Sequence, residues 1–145
     1  MNIAVRYYTR SGNTKKLADA VALAISVESK DVSCPLTEKA DILFLGCSYY
    51  AFDMDEAIKK FITENKENIG SIVCFGTSAM MKSMKKPLRK VADPLGIAVA
   101  EEEFHCRGQF AKFHKGRPDE TDIAGVSRFA KNIIKRTGNQ EGARG

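Results

Sequence analysis

The stretch Thr9-Arg10-Ser11-Gly12-Asn13-Thr14, "TRSGNT", follows the largely apolar run "IAVRYY" at residues 3–8 and precedes Leu17, Val21, Ala24 and Ile25. The run reads as a strand, and apolar residues three to four apart read as one buried face of a helix. Between them lies a strand-to-helix turn. Such a turn directs backbone N–H groups and the positive end of a helix dipole at one point, which makes it a cradle for an anion. Thr9, Ser11 and Thr14 add hydroxyls, Asn13 adds an amide, and Gly12 lets a ligand approach the backbone. Asn13 or Thr14 alone would suffice to cap the helix. Four donors in six positions exceed that need and suit a phosphate monoester.

Outward from this turn the chain alternates between the two periods. A weak strand around Asp31 to Cys34 ends at Pro35, and "ADILFLG" (40–46) is nearly continuous in apolar residues, as a strand covered on both faces must be. "CSYYAFDMDEAIKKFITEN" (47–65) reads as a loop and then a helix, with Ile58, Phe61 and Ile62 on one face and Asp55 and Glu56 in the first turn. "SIVCFG" (71–76) is a strand and "TSAMMKS" (77–83) a loop. Met84, Leu88, Val91 and Leu95 mark a third helix, opened near Pro87 and closed at Pro94 and Gly96. "IAVAEEEF" (97–104) is a fifth strand. An irregular piece from His105 to Pro118 leads to a last helix carrying Ile123, Val126, Phe129, Ala130 and Ile133. Residues 138–145 read as a flexible tail beyond a single domain at 1–137.

Strands alternating with helices imply an α/β fold: a five-stranded parallel sheet with right-handed crossovers and helices on both faces. Ligands of such sheets bind at the carboxyl ends of the strands, where strand order reverses. The loops after strands one, three and four therefore belong to one edge.

Composition narrows the class further. The longest apolar stretches are about five to seven residues, far short of the roughly 20 a membrane-spanning helix needs. No apolar signal region precedes the first strand, so a cytoplasmic protein is expected. Cys34, Cys47, Cys74 and Cys106 are widely spaced, without a C-x-x-C pair. Cys34 and Cys74 fall in or beside apolar runs and read as small hydrophobes, whereas Cys47 and Cys106 lie near loops, where reactivity stays open. His105 and His114 have no metal-ligand spacing, and no metal is expected. The net charge is +5. Lys82, Lys85, Lys86, Arg89 and Lys90 form a cluster without an acid, opposed by Glu101, Glu102 and Glu103; the cluster reads as a solvated helix face or as a docking patch.

Other phosphate chemistries lack their residues. There is no G-x-x-x-x-G-K-[ST] loop, and "SGNT" is not a G-x-G-x-x-G turn. The arginine that a low-molecular-weight tyrosine phosphatase needs six positions after its cysteine is replaced by Ala40, Asp53, Met80 or Lys112. A phosphoacceptor receiver needs acids at the end of strand one, where Tyr7, Tyr8 and Thr9 stand.

The chain resembles the flavodoxins, and the short-chain members in particular. "TRSGNT" is similar to their phosphate-loop signature T/S-x-T/S-G-x-T, with Thr9, Ser11, Gly12 and Thr14 at the matching places. "LFLGCSYYAF" resembles the strand-three segment, "CFGTSAM" the strand-four loop, and "FHCRGQF" with "GRPDETDIAGVSRFAKNI" the closing segment. The resemblance implies a three-layer α/β/α sandwich with strand order 2-1-3-4-5 and noncovalent FMN. It places the phosphate on Thr9, Arg10, Ser11, Gly12, Asn13 and Thr14. The isoalloxazine falls between Ser48, Tyr49, Tyr50 and Ala51 on one side and Thr77, Ser78, Ala79 and Met80 on the other. Tyr50, or Tyr49, would stack on the ring, a contact worth about 1 kcal/mol beyond burial. Met80 and Met81 stand where many flavodoxins place an aromatic.

The implied function is electron transfer between a reductase and an acceptor. No catalytic residue is then expected, since the flavin carries the reactivity. Flavodoxins are usually acidic, whereas this chain carries +5, Arg10, Lys15 and Lys16 flank this loop and the basic helix begins near the flavin edge; a less negative midpoint potential and a redox partner with an acidic docking face are expected, and neither nucleic acid nor a membrane is the expected partner. Two alternatives stay open at this point: an FMN-dependent reductase of quinones or nitro compounds, which would oxidise NAD(P)H unaided, and a binding module of the same fold that has lost FMN.

Overall fold

The computed structural model describes residues 1–10, 12–50, 53–77, 83–106 and 116–144, with the backbone alone at 48–50, 53 and 139–144. Its strands are β1 (Ile3–Tyr7), β2 (Ser29–Asp31), β3 (Ala40–Tyr50), β4 (Asp53–Met54), β5 (Ile69–Thr77) and β6 (Ala98–Cys106). Its helices are α1 (Asn13–Ile25), α2 (Glu56–Glu64), α3 (Lys85–Ala92) and α4 (Glu120–Arg144). Five strands pair in parallel in the order β2-β1-β3-β5-β6, and β4 pairs antiparallel with the end of β3.

The sheet divides the core by the two-residue period of its strands. On β3, Leu43, Leu45 and Cys47 face a cluster completed by Ile58, Phe61 and Ile62 of α2 and by Leu88 and Ala92 of α3. Ile42 and Phe44 point the other way, toward Leu17, Ala18 and Val21 of α1 and Val126, Ala130 and Ile133 of α4. Leu17 and Val21 are fully buried, each contributing up to about 1.5–3 kcal/mol. Among the described residues, no helix is long and apolar enough to cross a membrane.

Arg6 is a polar exception inside the first strand. It is 8% exposed, and its guanidinium donates to the carbonyls of Cys34, Val5 and Pro35 at 2.9, 3.0 and 3.3 Å. Desolvation pulls its pKa below the usual arginine value, while the carbonyls satisfy its donors and pin the β2–β3 connection to β1.

Four local boundaries differ from the sequence expectation. The second strand is Ser29–Asp31, not Asp31 to Cys34: Asp31 Oδ1 accepts the Ser33 N–H at 2.8 Å and its carbonyl accepts the Cys34 N–H at 2.9 Å, which bends the chain into a turn. The segment read as a loop after residue 46 stays in β3 as far as Tyr50 and doubles back through β4. His105 and Cys106 belong to β6 and not to the irregular piece after it. Helix α4 runs on to Arg144, through the polar segment assigned to the tail. Its start is a reciprocal box, in which Asp119 Oδ1 accepts the Asp122 N–H at 3.0 Å and Asp122 Oδ2 accepts the Asp119 N–H at 2.8 Å.

Candidate functional site

Register sets the loops side by side. Tyr7 pairs with Gly46, Ser48 with Thr77, and Thr77 with Cys106. The connections after β1, β3 and β5 therefore leave one edge of the sheet at about the same level, on either side of the point where strand order reverses.

The first of these connections is built by the short-range chemistry of "TRSGNT". Thr9 Oγ1 accepts the Gly12 N–H at 2.8 Å, which draws the turn round. Gly12 then takes φ of 90°, a left-handed conformation that glycine adopts without strain, and becomes the N-cap of α1. Gly12 has no side chain of its own with which to cap that helix. Among the described residues beyond its chain neighbours, nothing lies within 4 Å of the space a side chain at position 12 would fill. A helix opened by a left-handed glycine, with threonine hydroxyls in the same turn, offers the donors that a phosphate group takes.

Thr14 is 1% and Thr77 5% exposed. Their hydroxyl oxygens lie 3.5 Å apart, so the start of α1 and the end of β5 meet at this edge. Ser48, Tyr49 and Tyr50 form the last residues of β3, with Tyr49 paired to Met54 and Tyr50 to Asp53. Ser11, Ala51, Ser78, Ala79 and Met80 lie outside the described residues, as does Met81.

The charges around the loop are not those of a bare basic rim. Arg10 Nε donates to Asp55 Oδ2 at 2.8 Å. The other oxygen of the same carboxylate accepts the Ala57 N–H at 3.2 Å and caps α2. One buried acid thus caps a helix and straps the connection after β1 to the one that follows β3. Lys15 pairs with Asp19 at 2.7 Å, and this bond raises the lysine pKa. Of the three flanking cations, Lys16 is the one without a carboxylate partner among the described residues. Two of the three cations beside the loop are therefore locally paired. Sequence reasoning treated Asp55 only as a favourable acid in a first turn; no local pattern connects it to a residue 45 positions away.

The cysteines also redistribute. Cys34 is the exposed thiol, because the turn at Asp31 carries it out of the sheet. Cys47 and Cys74 are fully buried and Cys106 is 6% exposed. Desolvation, reinforced by the nearby Asp122 carboxylate, pushes the Cys106 thiol up to about 12. The thiols near loops are thus the protected ones, and Cys34, read as a small hydrophobe, is not.

Five parallel strands in the order 2-1-3-4-5, sandwiched between α1 with α4 and α2 with α3, define the flavodoxin-like fold, and this chain has it. A solved flavodoxin from the domain Archaea superposes with a TM-score of 0.76 at 18% identity, covering 94% of this chain and 98% of the other. Oxidised flavodoxin 1 from Bacillus cereus superposes at 0.69 with 22% identity, over 93% and 98% of the two chains. In sequence, an uncharacterized protein of Methanocaldococcus jannaschii is 28% identical over 137 residues, 85% of this chain and 91% of that protein. No family model matches the chain.

Proposed function

We propose that the protein binds FMN at the edge where β1, β3 and β5 end and serves as a cytoplasmic electron carrier. The observation that carries this proposal is the start of α1: a left-handed Gly12, held by Thr9, opens the helix at the edge where β1, β3 and β5 end. The flavodoxin-like fold supports it by setting that turn beside the ends of β3 and β5.

Thr9, Ser11, Gly12, Asn13 and Thr14 would hold the phosphate, with the Thr77 hydroxyl beside that of Thr14. Arg10 reaches Asp55 and would wall the pocket, not neutralise the phosphate. The segments 48–51 and 77–80 would enclose the ring. FMN, when bound, supplies the redox chemistry, so the protein's share is binding, orientation and exclusion of water, with no acid, base or nucleophile required.

Fluorescence titration with FMN and with riboflavin tests this, since the two ligands share the ring and differ in the phosphate. Quenching that saturates with FMN at a Kd at least tenfold below that for riboflavin is the expected result. A chain that takes up neither flavin, or both equally, would remove the phosphate site from the account. NAD(P)H oxidation by the loaded protein without a second protein would identify a reductase instead of a carrier.

A further inference from the structure

The triplet Glu101-Glu102-Glu103 sits on β6, the last strand of the sheet order, where the pairing with β5 slips between Ile72 and Cys74. Its three carboxylates are all committed. Glu101 bonds Arg89 at 2.7 Å and lies 3.8 Å from Lys85, both on α3. Glu102 turns to the opposite face and bonds Arg136 of α4 at 2.8 Å. Glu103 accepts from the Ser83 hydroxyl at 2.5 Å and from the Met84 N–H at 3.2 Å, so it caps α3 from the neighbouring strand. The acids opposite the basic cluster thus hold two helices to the sheet edge and consume two of the α3 cations.

What remains on α3 is Lys86 and Lys90, four residues apart on one face and without a carboxylate partner among the described residues. They border, with Lys85, Arg89 and the single acid Asp93, an open groove of about 630 Å³ whose lining is basic on balance. The first turn of α3 has no acidic residue, although cations there oppose the helix dipole. Lys86 and Lys90 lie about 6 Å apart along the axis, within one Debye length, and act on a partner together.

The position of this face matters as much as its sign. Met84 is fully buried beneath the start of α3, and a side chain at Gly76 would collide with its Cε. The first turn of α3 is therefore seated on the carboxyl end of β5, at the edge that carries the candidate site. Another basic stripe, Arg128, Lys131 and Lys135, runs down α4; these residues are about 12–22 Å along the helix from its start, away from that edge.

We propose that the exposed face of α3, with Lys86 and Lys90 at the sheet edge, is the docking surface for an acidic protein that exchanges electrons with this one. This rests on the carrier proposal above and specifies where the partner sits. The partner's acidic surface would meet Lys86 and Lys90, while Lys85 and Arg89 stay bound to Glu101. Lys86→Glu/Lys90→Glu reverses the face without touching the Glu101 and Glu103 contacts.

Two measurements test it. Titration of the isotope-labelled protein with poly-L-glutamate, followed by amide NMR, should shift the amides of Lys85, Lys86, Leu88, Arg89 and Lys90 first, with the shifts abolished by added salt and by the double substitution. Shifts centred on Arg128 to Lys135, or shifts unchanged in the variant, would overturn the proposal; this readout needs no flavin, so it stands whether or not FMN binds. Stopped-flow oxidation of the reduced, FMN-loaded protein by ferricyanide should slow on the order of tenfold in the variant at low salt, while oxidation by hexaamminecobalt(III) quickens. Equal changes for both oxidants, or none, would separate α3 from the electron path. Failure of FMN uptake would sink the carrier proposal and leave the titration to decide the surface.

Discussion

Asp55 performs two tasks with one carboxylate, and substitution can separate them. Its side chain is 6% exposed; Oδ1 accepts the Ala57 N–H at 3.2 Å and Oδ2 accepts from Arg10 at 2.8 Å. Loss of an N-cap costs about 0.5–2 kcal/mol. The Arg10 side chain is 55% exposed, so the ion pair belongs at the upper end of the surface range, up to about 1 kcal/mol. Asp55→Ala removes both and should cost about 2 kcal/mol. Asp55→Asn keeps a capping oxygen and should cost about 0.5–1 kcal/mol. With a urea m-value of about 2 kcal/mol/M, the midpoints should fall by about 1 M and 0.3–0.5 M. A double-mutant cycle of Asp55→Asn with Arg10→Met should return a coupling of about 0.5–1 kcal/mol. Equal losses for the two Asp55 variants would refute the division of labour, and a coupling of zero would show that the strap between the two loops carries no energy.

Burial orders the thiols, so brief treatment of the native protein with iodoacetamide near neutral pH, read by intact mass, should add one label, at Cys34. Labelling of Cys106 at a comparable rate would contradict its burial and its raised pKa. In acid, the Asp122 carboxylate should report on folding. Arg117 bonds it at 2.6 and 2.7 Å and, with the Asp119 N–H, holds its pKa below the usual 3.8, against the opposing effect of desolvation. A depressed folded pKa means that the stabilisation is complete above the unfolded value and drains as pH falls through the folded one. Arg117→Gln should therefore flatten the loss of stability below about pH 4 relative to wild type, as read by denaturant midpoints across the acid range; parallel curves would exclude the pair as a source of acid lability.

The two hydrophobic periods made the architecture legible from the residues alone. A nearly continuous apolar run could only be a strand covered on both faces, as Ile42 to Leu45 prove to be. The stripe from Ile123 to Ile133 could only be a helix laid on a sheet. The first turn was legible for the same reason: the bond from the Gly12 N–H to Thr9 and the left-handed glycine involve neighbours in the chain, so their residue types announce them. Less legible were the ends of elements. β3 persists through Tyr50 because β4 folds back to pair with it, a gain in hydrogen bonds that propensity at 47–50 does not register.

What the chain alone determined is thus the order of layers, the edge on which the loops gather, and the residue types of the turn between β1 and α1. Tertiary structure decided which charges remain available. Arg10 meets Asp55 and Arg89 meets Glu101 only once helices from distant segments are packed against the sheet, and the same packing hides Cys106 while a turn exposes Cys34. Periodicity encodes which way a side chain faces relative to its own backbone. Charge pairing and exposure depend on which other segment arrives opposite, and that is settled by the packing of whole layers.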